Sequence, residues 1–179
     1  MSPQLLNLVG QLDAASERAK KLVEGLPEEA LLRRPWPDRW SIAENLQHLD
    51  LTSKAYFPIL DEAAARGLRE ADYGNRPFRL DFWGFALKWY LEPPSRMKAK
   101  TTKPFEPPNS AGALEAFLRS QAQIGQRFES LKGLAIDKIK IRSPFAEQVR
   151  YSVWSALNLI VAHERRHLWQ AEQAKLHLD

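Results

Sequence analysis

Apolar positions recur every three or four residues in four long stretches of the chain, a spacing that predicts helices rather than strands. In the first, Leu5, Leu8, Val9, Leu12, Ala15, Ala19, Leu22 and Leu26 form a stripe behind Ser2 and Pro3, a good cap and first-turn pair. A helix over about residues 3–25 is expected, followed by a proline-bounded turn, PEEALLRRP. The second opens at Ser41, with Glu44 three residues on, the arrangement in which two side chains satisfy each other's backbone N–H groups. Its stripe is Ile42, Leu46, Leu49, Ser53, Tyr56, Phe57 and Leu60, and Pro58 is expected to kink the helix or break its ladder near Lys54. The third starts near Asn109 or Ser110, repeats Leu114, Phe117, Leu118, Gln121, Ile124, Phe128 and Leu131, and ends at Gly133. The fourth runs from about Ser152 to about Lys175 with Val153, Ala156, Leu157, Ile160, Val161, Leu168, Ala171 and Ala174 on its apolar side.

Residues 67–109 differ, with Gly67, Gly74, Gly84 and six prolines around the aromatic run FRLDFWGFALKWYLEPP. A short amphipathic helix is expected near residues 81–91 inside a long ordered connection, and that density of aromatics favours a packed lid. The tryptophans Trp40, Trp83, Trp89, Trp154 and Trp169 read as core or lid packing rather than substrate platforms. After the third helix, IDKIKI reads as a short strand, but no convincing sheet emerges. Four long helices without a sheet predict an all-α four-helix bundle in which residues 1–179 form a single domain, with a lid-like connection between helices two and three.

Composition narrows this picture. The 179 residues, 44% hydrophobic and 27% charged, suit one globular domain. A chain of this size buries about 70% of its unfolded surface and needs no metal as a folding staple, so a metal here would serve function. There are no cysteines, which leaves His, Asp and Glu as candidate ligands and suits a reducing compartment. The N-terminal stretch meets charged residues too early for a signal peptide, and YSVWSALNLIVA is too short to span a bilayer, so a cytoplasmic protein with no membrane partner is expected. The formal charge of +4, from 26 basic and 22 acidic residues, is scattered except for SRMKAKTTK at residues 95–103, a run that reads as solvated. With no zinc-finger spacing, RNP-like strand or basic helix with interleaved aromatics, no nucleic-acid partner is expected.

The chemistry concentrates in VAHERRHLWQ, residues 161–170. On a helix, His163 and His167 lie about 40° apart and one turn along the same face, so both imidazoles can reach one ion, while Glu164 falls near the centre of the apolar stripe and Arg165 and Arg166 point elsewhere. The letters also match the H-E-x-x-H motif of zinc proteases, with Glu164 as general base. That reading lacks its third ligand downstream. Gln170 and Gln173 stand where glycine and histidine are needed, Glu172 faces the opposite side, and His177 lies about 15 Å along the axis from His167. The remaining histidine is His48 on the second helix, and it must supply a third ligand if there is one. It sits about 120° from the main stripe, on a weaker strip with Thr52, Ala55 and Ile59. The bland alternatives are hydrogen-bonded histidines on a helix shoulder, and a Glu164 that pairs with a buried arginine such as Arg18 or Arg127.

WSIAENLQHL on the second helix and VAHERRHLWQ on the fourth, with the proline-rich KTTKPFEPPNS between them, resemble the DinB-like superfamily of bacterial metal-binding four-helix bundles (DinB/YfiT-like), over nearly the whole chain. The resemblance implies a single divalent metal held by His48, His163 and His167, all three present. Zinc or nickel would suit imidazole best, and manganese or iron also occur in the family. It further implies a transferase that uses a low-molecular-weight thiol, or a hydrolase, acting on a small molecule. At such a site a water would acidify or a thiol would bind as thiolate, with Glu164 as proton acceptor or as a group that orients a ligand. The competing class is a noncatalytic binding or stress-response module that keeps the bundle and perhaps the ion. Bundles with a leftover apolar stripe often pair, which makes a homodimer the assembly to expect.

Overall fold

The computed structural model of the chain describes residues 2–67, 69, 76–94 and 101–178. Most of the 95–103 basic run, and Gly74 in the connection, therefore lie outside the described residues. Four long helices form the bundle: α1 (Pro3–Val23), α3 (Ile42–Ala65), α5 (Ala113–Ser130) and α6 (Val153–Lys175). Between them stand a five-residue helix α2 (Glu28–Leu32) where a turn was expected, and the ten-residue α4 (Phe82–Leu91). A short antiparallel pair, β1 (Lys140–Arg142) with β2 (Arg150–Ser152), joins Ile141 to Tyr151 and leads directly into α6. The all-α bundle holds, and the hairpin adds to it. No helix among the described residues is long and apolar enough to cross a membrane.

Local chemistry sets the helix ends. Ser41 accepts from the Glu44 N–H at 3.1 Å while the Glu44 carboxylate accepts from the Ser41 N–H at 2.9 Å, the reciprocal cap read from the sequence. Ser152 caps α6 by accepting from the Ser155 N–H at 3.1 Å. α5 starts at Ala113, a few residues after the expected Asn109 or Ser110, because Gly112, at a φ of 74°, turns the chain into it. α3 continues through Pro58; both Pro58 and Lys54, whose carbonyl loses its usual donor, are exposed, so water can replace the missing N–H.

The interior divides into two apolar clusters. One gathers Leu8, Leu60, Ile124, Phe128 and Ile160, and the other Ala19, Ile42, Leu46, Phe117 and Leu168. Polar side chains are also buried, including Asn45, His48, Thr52, Ser120, Gln121, Glu164 and His167. In chain order Thr52 on α3, Ser120 and Gln121 on α5, and Glu164 and His167 on α6 fall between the two clusters and form a polar belt across the bundle, which Asn45 and His48 extend along α3 between Ala43 and Leu49. Such groups are tolerated inside only when hydrogen-bonded.

α4 and the extended residues before it are strapped across the outside of the bundle. Gln4 clamps the Phe78 backbone from both sides, at 2.7 and 3.1 Å. The Asp81 carboxylate accepts from the N–H groups of Gly84 and Ser152, the Ser155 hydroxyl and Lys140 Nζ. Partial burial pushes this carboxyl up, but those four donors together outweigh it and hold its pKa below the usual value. Glu92 takes both arms of the Arg165 guanidinium, and Gly84 lies flat on Ser155.

The Gly84 approach leaves no room for a side chain, since a Cβ there would stand 2.1 Å from Ser155 Oγ and 2.4 Å from Ser155 Cβ. Gly84→Ala should lower unfolding stability by about 1–3 kcal/mol by lifting α4 off α6. Gly10→Ala, on the open face of α1 with nothing within 4 Å, should raise it by about 0.5–1 kcal/mol. Urea unfolding of the two variants beside the parent checks both signs.

Candidate metal centre

α3 and α6 run antiparallel where they meet, and each delivers its histidines to the belt. His48 comes from α3, and His163 and His167 come from successive turns of α6. The three offer ligand atoms that all lie within 4.8 Å of one another, and no other such group of three occurs among the described residues. His48 Nε2 stands 3.3 Å from His163 Nε2, and the ring centroids are 4.5 to 5.1 Å apart. His48 and His167 are buried while His163 keeps partial exposure, which leaves the group open on one side.

The tautomers follow from the partners. His48 Nδ1 lies 2.8 Å from the Phe105 carbonyl oxygen, which only accepts, so Nδ1 carries the proton and Nε2 presents its lone pair. His167 Nδ1 lies 3.0 Å from Asn45 Oδ1, and Asn45 Nδ2 in turn donates to the Ser41 carbonyl at 2.9 Å. That second bond fixes the amide orientation, so His167 Nδ1 donates and its Nε2 also remains a lone-pair donor. Trp40 stacks on the group, 4.8 Å from His48 and 5.6 Å from His167 between ring centroids.

Electrostatics favour neutral rings. Burial lowers the His48 pKa, with the Phe105 carbonyl opposing it. His163 is held well below its ordinary value by burial, then by the charges of His48 and Arg166, and His167 by burial, then by His163, His48 and Arg166. Neutral imidazole is the form that binds a metal. Two nitrogens at about 2.0–2.1 Å from one ion, at a tetrahedral angle, stand about 3.3–3.4 Å apart, the separation found between His48 and His163. The residues present therefore fit a divalent ion.

Glu164, between the two α6 histidines in sequence, is buried, and its Oε1 accepts from Gln121 Nε2 at 2.6 Å while Oε2 has no hydrogen-bond partner among the described residues. Burial pushes its pKa up to about 8, against the Gln121 hydrogen bond and the Arg165 charge. The arginine partners expected for it are engaged elsewhere, Arg18 with Glu172 and Arg127 with Asp61. Arg166, expected to point away, is 4% exposed and lines the same cavity, its Nη1 donating to the Tyr90 carbonyl at 3.0 Å. Asn45 lies three residues before His48, a helical spacing that could have marked it, whereas the Phe105 carbonyl has no side-chain signature.

The histidines open into a cavity of about 1250 Å³, above the usual range for ligand pockets. Its walls come from α3, α6, α4, residues 34–40, residues 101–107 and residues 143–151, so part of the aromatic connection does cover the site as a lid. The two ends of the lining differ in character. Toward the start of α6 it is mainly aromatic and aliphatic, with Tyr56, Phe105, Phe145, Tyr151, Leu159 and Ile160 beside Thr52, Ser53 and Ser143, and toward its end the charged and amide groups of Asp38, Arg39, Gln170 and Gln173 stand among Trp36, Trp40 and Trp169.

A four-helix bundle with one histidine from its second long helix and two from its last, converging under a lid, defines a class of helical protein with a site able to hold a metal ion. The DinB superfamily profile matches residues 11–171, and the chain belongs to that superfamily. No curated protein and no solved structure matches the chain.

Asn45→Leu should keep the helical spectrum but weaken divalent-ion affinity about 10- to 100-fold, because His167 loses the acceptor that orients it. Competition against a chromogenic chelator reads the change, and unaltered affinity would show that Asn45 does not orient the ring.

Proposed function

We propose that the protein is a metal-dependent transferase that joins a hydrophilic low-molecular-weight thiol to a small apolar electrophile. The observation that carries this reading is the sorted lining of the cavity on either side of the three histidines. A hydrolase needs room for one organic substrate and water. Here an aromatic arm reaching Tyr56, about 12 Å from His48 along α3, and an arm ending near His177 that sets Asp38, Arg39, Gln170 and Gln173 among tryptophans offer two chemically different seats that meet at the imidazoles.

His48, His163 and His167 would hold the ion. A divalent cation on three neutral ligands keeps its full charge and lowers the pKa of a thiol or water at the open side. The chain's own groups do the rest. Arg39 and Gln173 suit the polar groups of a thiol, and Phe105 and Phe145, edge to face with ring centroids 4.7 Å apart, wall off an apolar partner from water. Glu164 is assigned to hold or move the proton released when the thiol enters, since it lines the cavity beside two ligands with one oxygen unpartnered.

Zinc- and nickel-loaded protein incubated with a panel of low-molecular-weight thiols and an activated aryl halide should give thiol-dependent product, lost in His163→Ala and reduced at least tenfold in kcat, with metal content retained, in Glu164→Gln. Thiol-independent cleavage of a nitrophenyl ester would assign a hydrolase instead. No turnover on either probe by fully loaded protein would favour the noncatalytic module.

A further inference from the structure

α4 presents two unlike faces. Inward, Gly84 rests on Ser155, and Leu87, Tyr90 and Leu91 form part of the cavity wall. Outward, Phe82 is 76% exposed, Phe85 66%, Trp89 73% and Trp83 45%, so the expected packing of these rings within a lid is not what the structure has. Phe82, Phe85, Ala86 and Trp89 follow the i, i+3, i+4, i+7 spacing of a helix stripe made to face another helix. The four exposed rings amount to roughly 500 Å² of uncovered aromatic surface, a size at which exposed apolar patches mark contact sites.

We propose that this face packs against α4 of a second copy of the chain, antiparallel, about a two-fold axis between positions 85 and 86. The stripe is self-complementary in that register. Phe82 meets Trp89 of the second copy, and Phe85 meets Ala86. An isologous contact requires this kind of reciprocity. The three rings on the stripe bury roughly 800 Å² in two copies, and flanking side chains such as Trp83 at the edge of the contact bring it to the ~1000 Å² lower bound of a specific interface.

A lipid surface suits the face less well. Among the described residues the rim of the stripe carries acidic Asp81 and Glu92 as well as basic Arg79 and Lys88, not the uniformly basic polar side that draws a helix to anionic headgroups. Pairing would also reach the site, because the helix clamped at the interface is the one whose other face walls the cavity and whose Tyr90 carbonyl holds Arg166.

The full chain, of 20.5 kDa, should sediment as a dimer at 10 µM. Phe85→Glu with Trp89→Glu, both at exposed positions, should sediment as a monomer with an unchanged helical spectrum. Because the chain has no cysteine, Ala86→Cys should be joined to itself by a short bis-maleimide, and Glu17→Cys on the outside of α1 should not. A wild-type chain that stays monomeric at 100 µM overturns the proposal, and co-sedimentation with phosphatidylglycerol vesicles would then give the face to lipid. A dimer that survives the double substitution, or Ala86→Cys that cross-links no better than Glu17→Cys, overturns it as well.

Discussion

Three imidazoles held neutral, two of them in a fixed tautomer, and a few ångströms apart in the middle of a helical bundle are the constraint on which the rest of the structure depends. Burying such rings is unfavourable unless their N–H groups are satisfied, and the chain does this with groups that cannot donate back, the Phe105 carbonyl and an Asn45 amide fixed by Ser41. The same two bonds turn the Nε2 lone pairs of His48 and His167 toward one another. Folding and ligand geometry are thus parts of one arrangement: the cap that starts α3 also orients the asparagine that orients a ligand on α6.

The polar belt has a structural consequence. It divides the apolar interior in two, and the bundle compensates with long-range ties outside it: Asp81 to Ser152 and Ser155, Gln4 to Phe78, Arg165 to Glu92. These ties fasten α4 over the site. α4 and the Lys103–Phe105 turn narrow the groove between two helices into a partly covered cavity, where the lower local dielectric strengthens the electrostatic interactions inside.

Much of this was legible in the sequence, for local reasons. The 3.6-residue stripes of α1, α3, α5 and α6, and the caps at Ser41 and Ser152, depend on neighbours a few positions away. The one-turn spacing of His163 and His167 put two rings on one face, and three-histidine arithmetic then singled out His48. What escaped depends on contacts distant in sequence. Three-residue strands carry too little alternation to announce a hairpin, and a backbone carbonyl such as that of Phe105 has no signature. Arg166 looked turned away because its flank is covered by α4, a helix expected near residues 81–91 whose place over the bundle depends on contacts distant in sequence. The aromatic density of residues 78–90 marked a helix correctly but could not say which of its faces would be buried. Glu164 lay on the stripe as expected, yet its partner is the neutral Gln121 of α5 rather than an arginine, which leaves its carboxyl with a raised pKa.

Elemental analysis of untagged protein purified without chelator, beside a His48→Ala variant of unchanged helical spectrum, tests the central claim most directly. The account predicts close to one divalent ion per chain in the parent and its loss in the variant, because a site built across α3 and α6 cannot keep its affinity with the α6 pair alone. A parent that takes up no zinc, nickel or manganese after dialysis, or a variant that retains the ion, would contradict it.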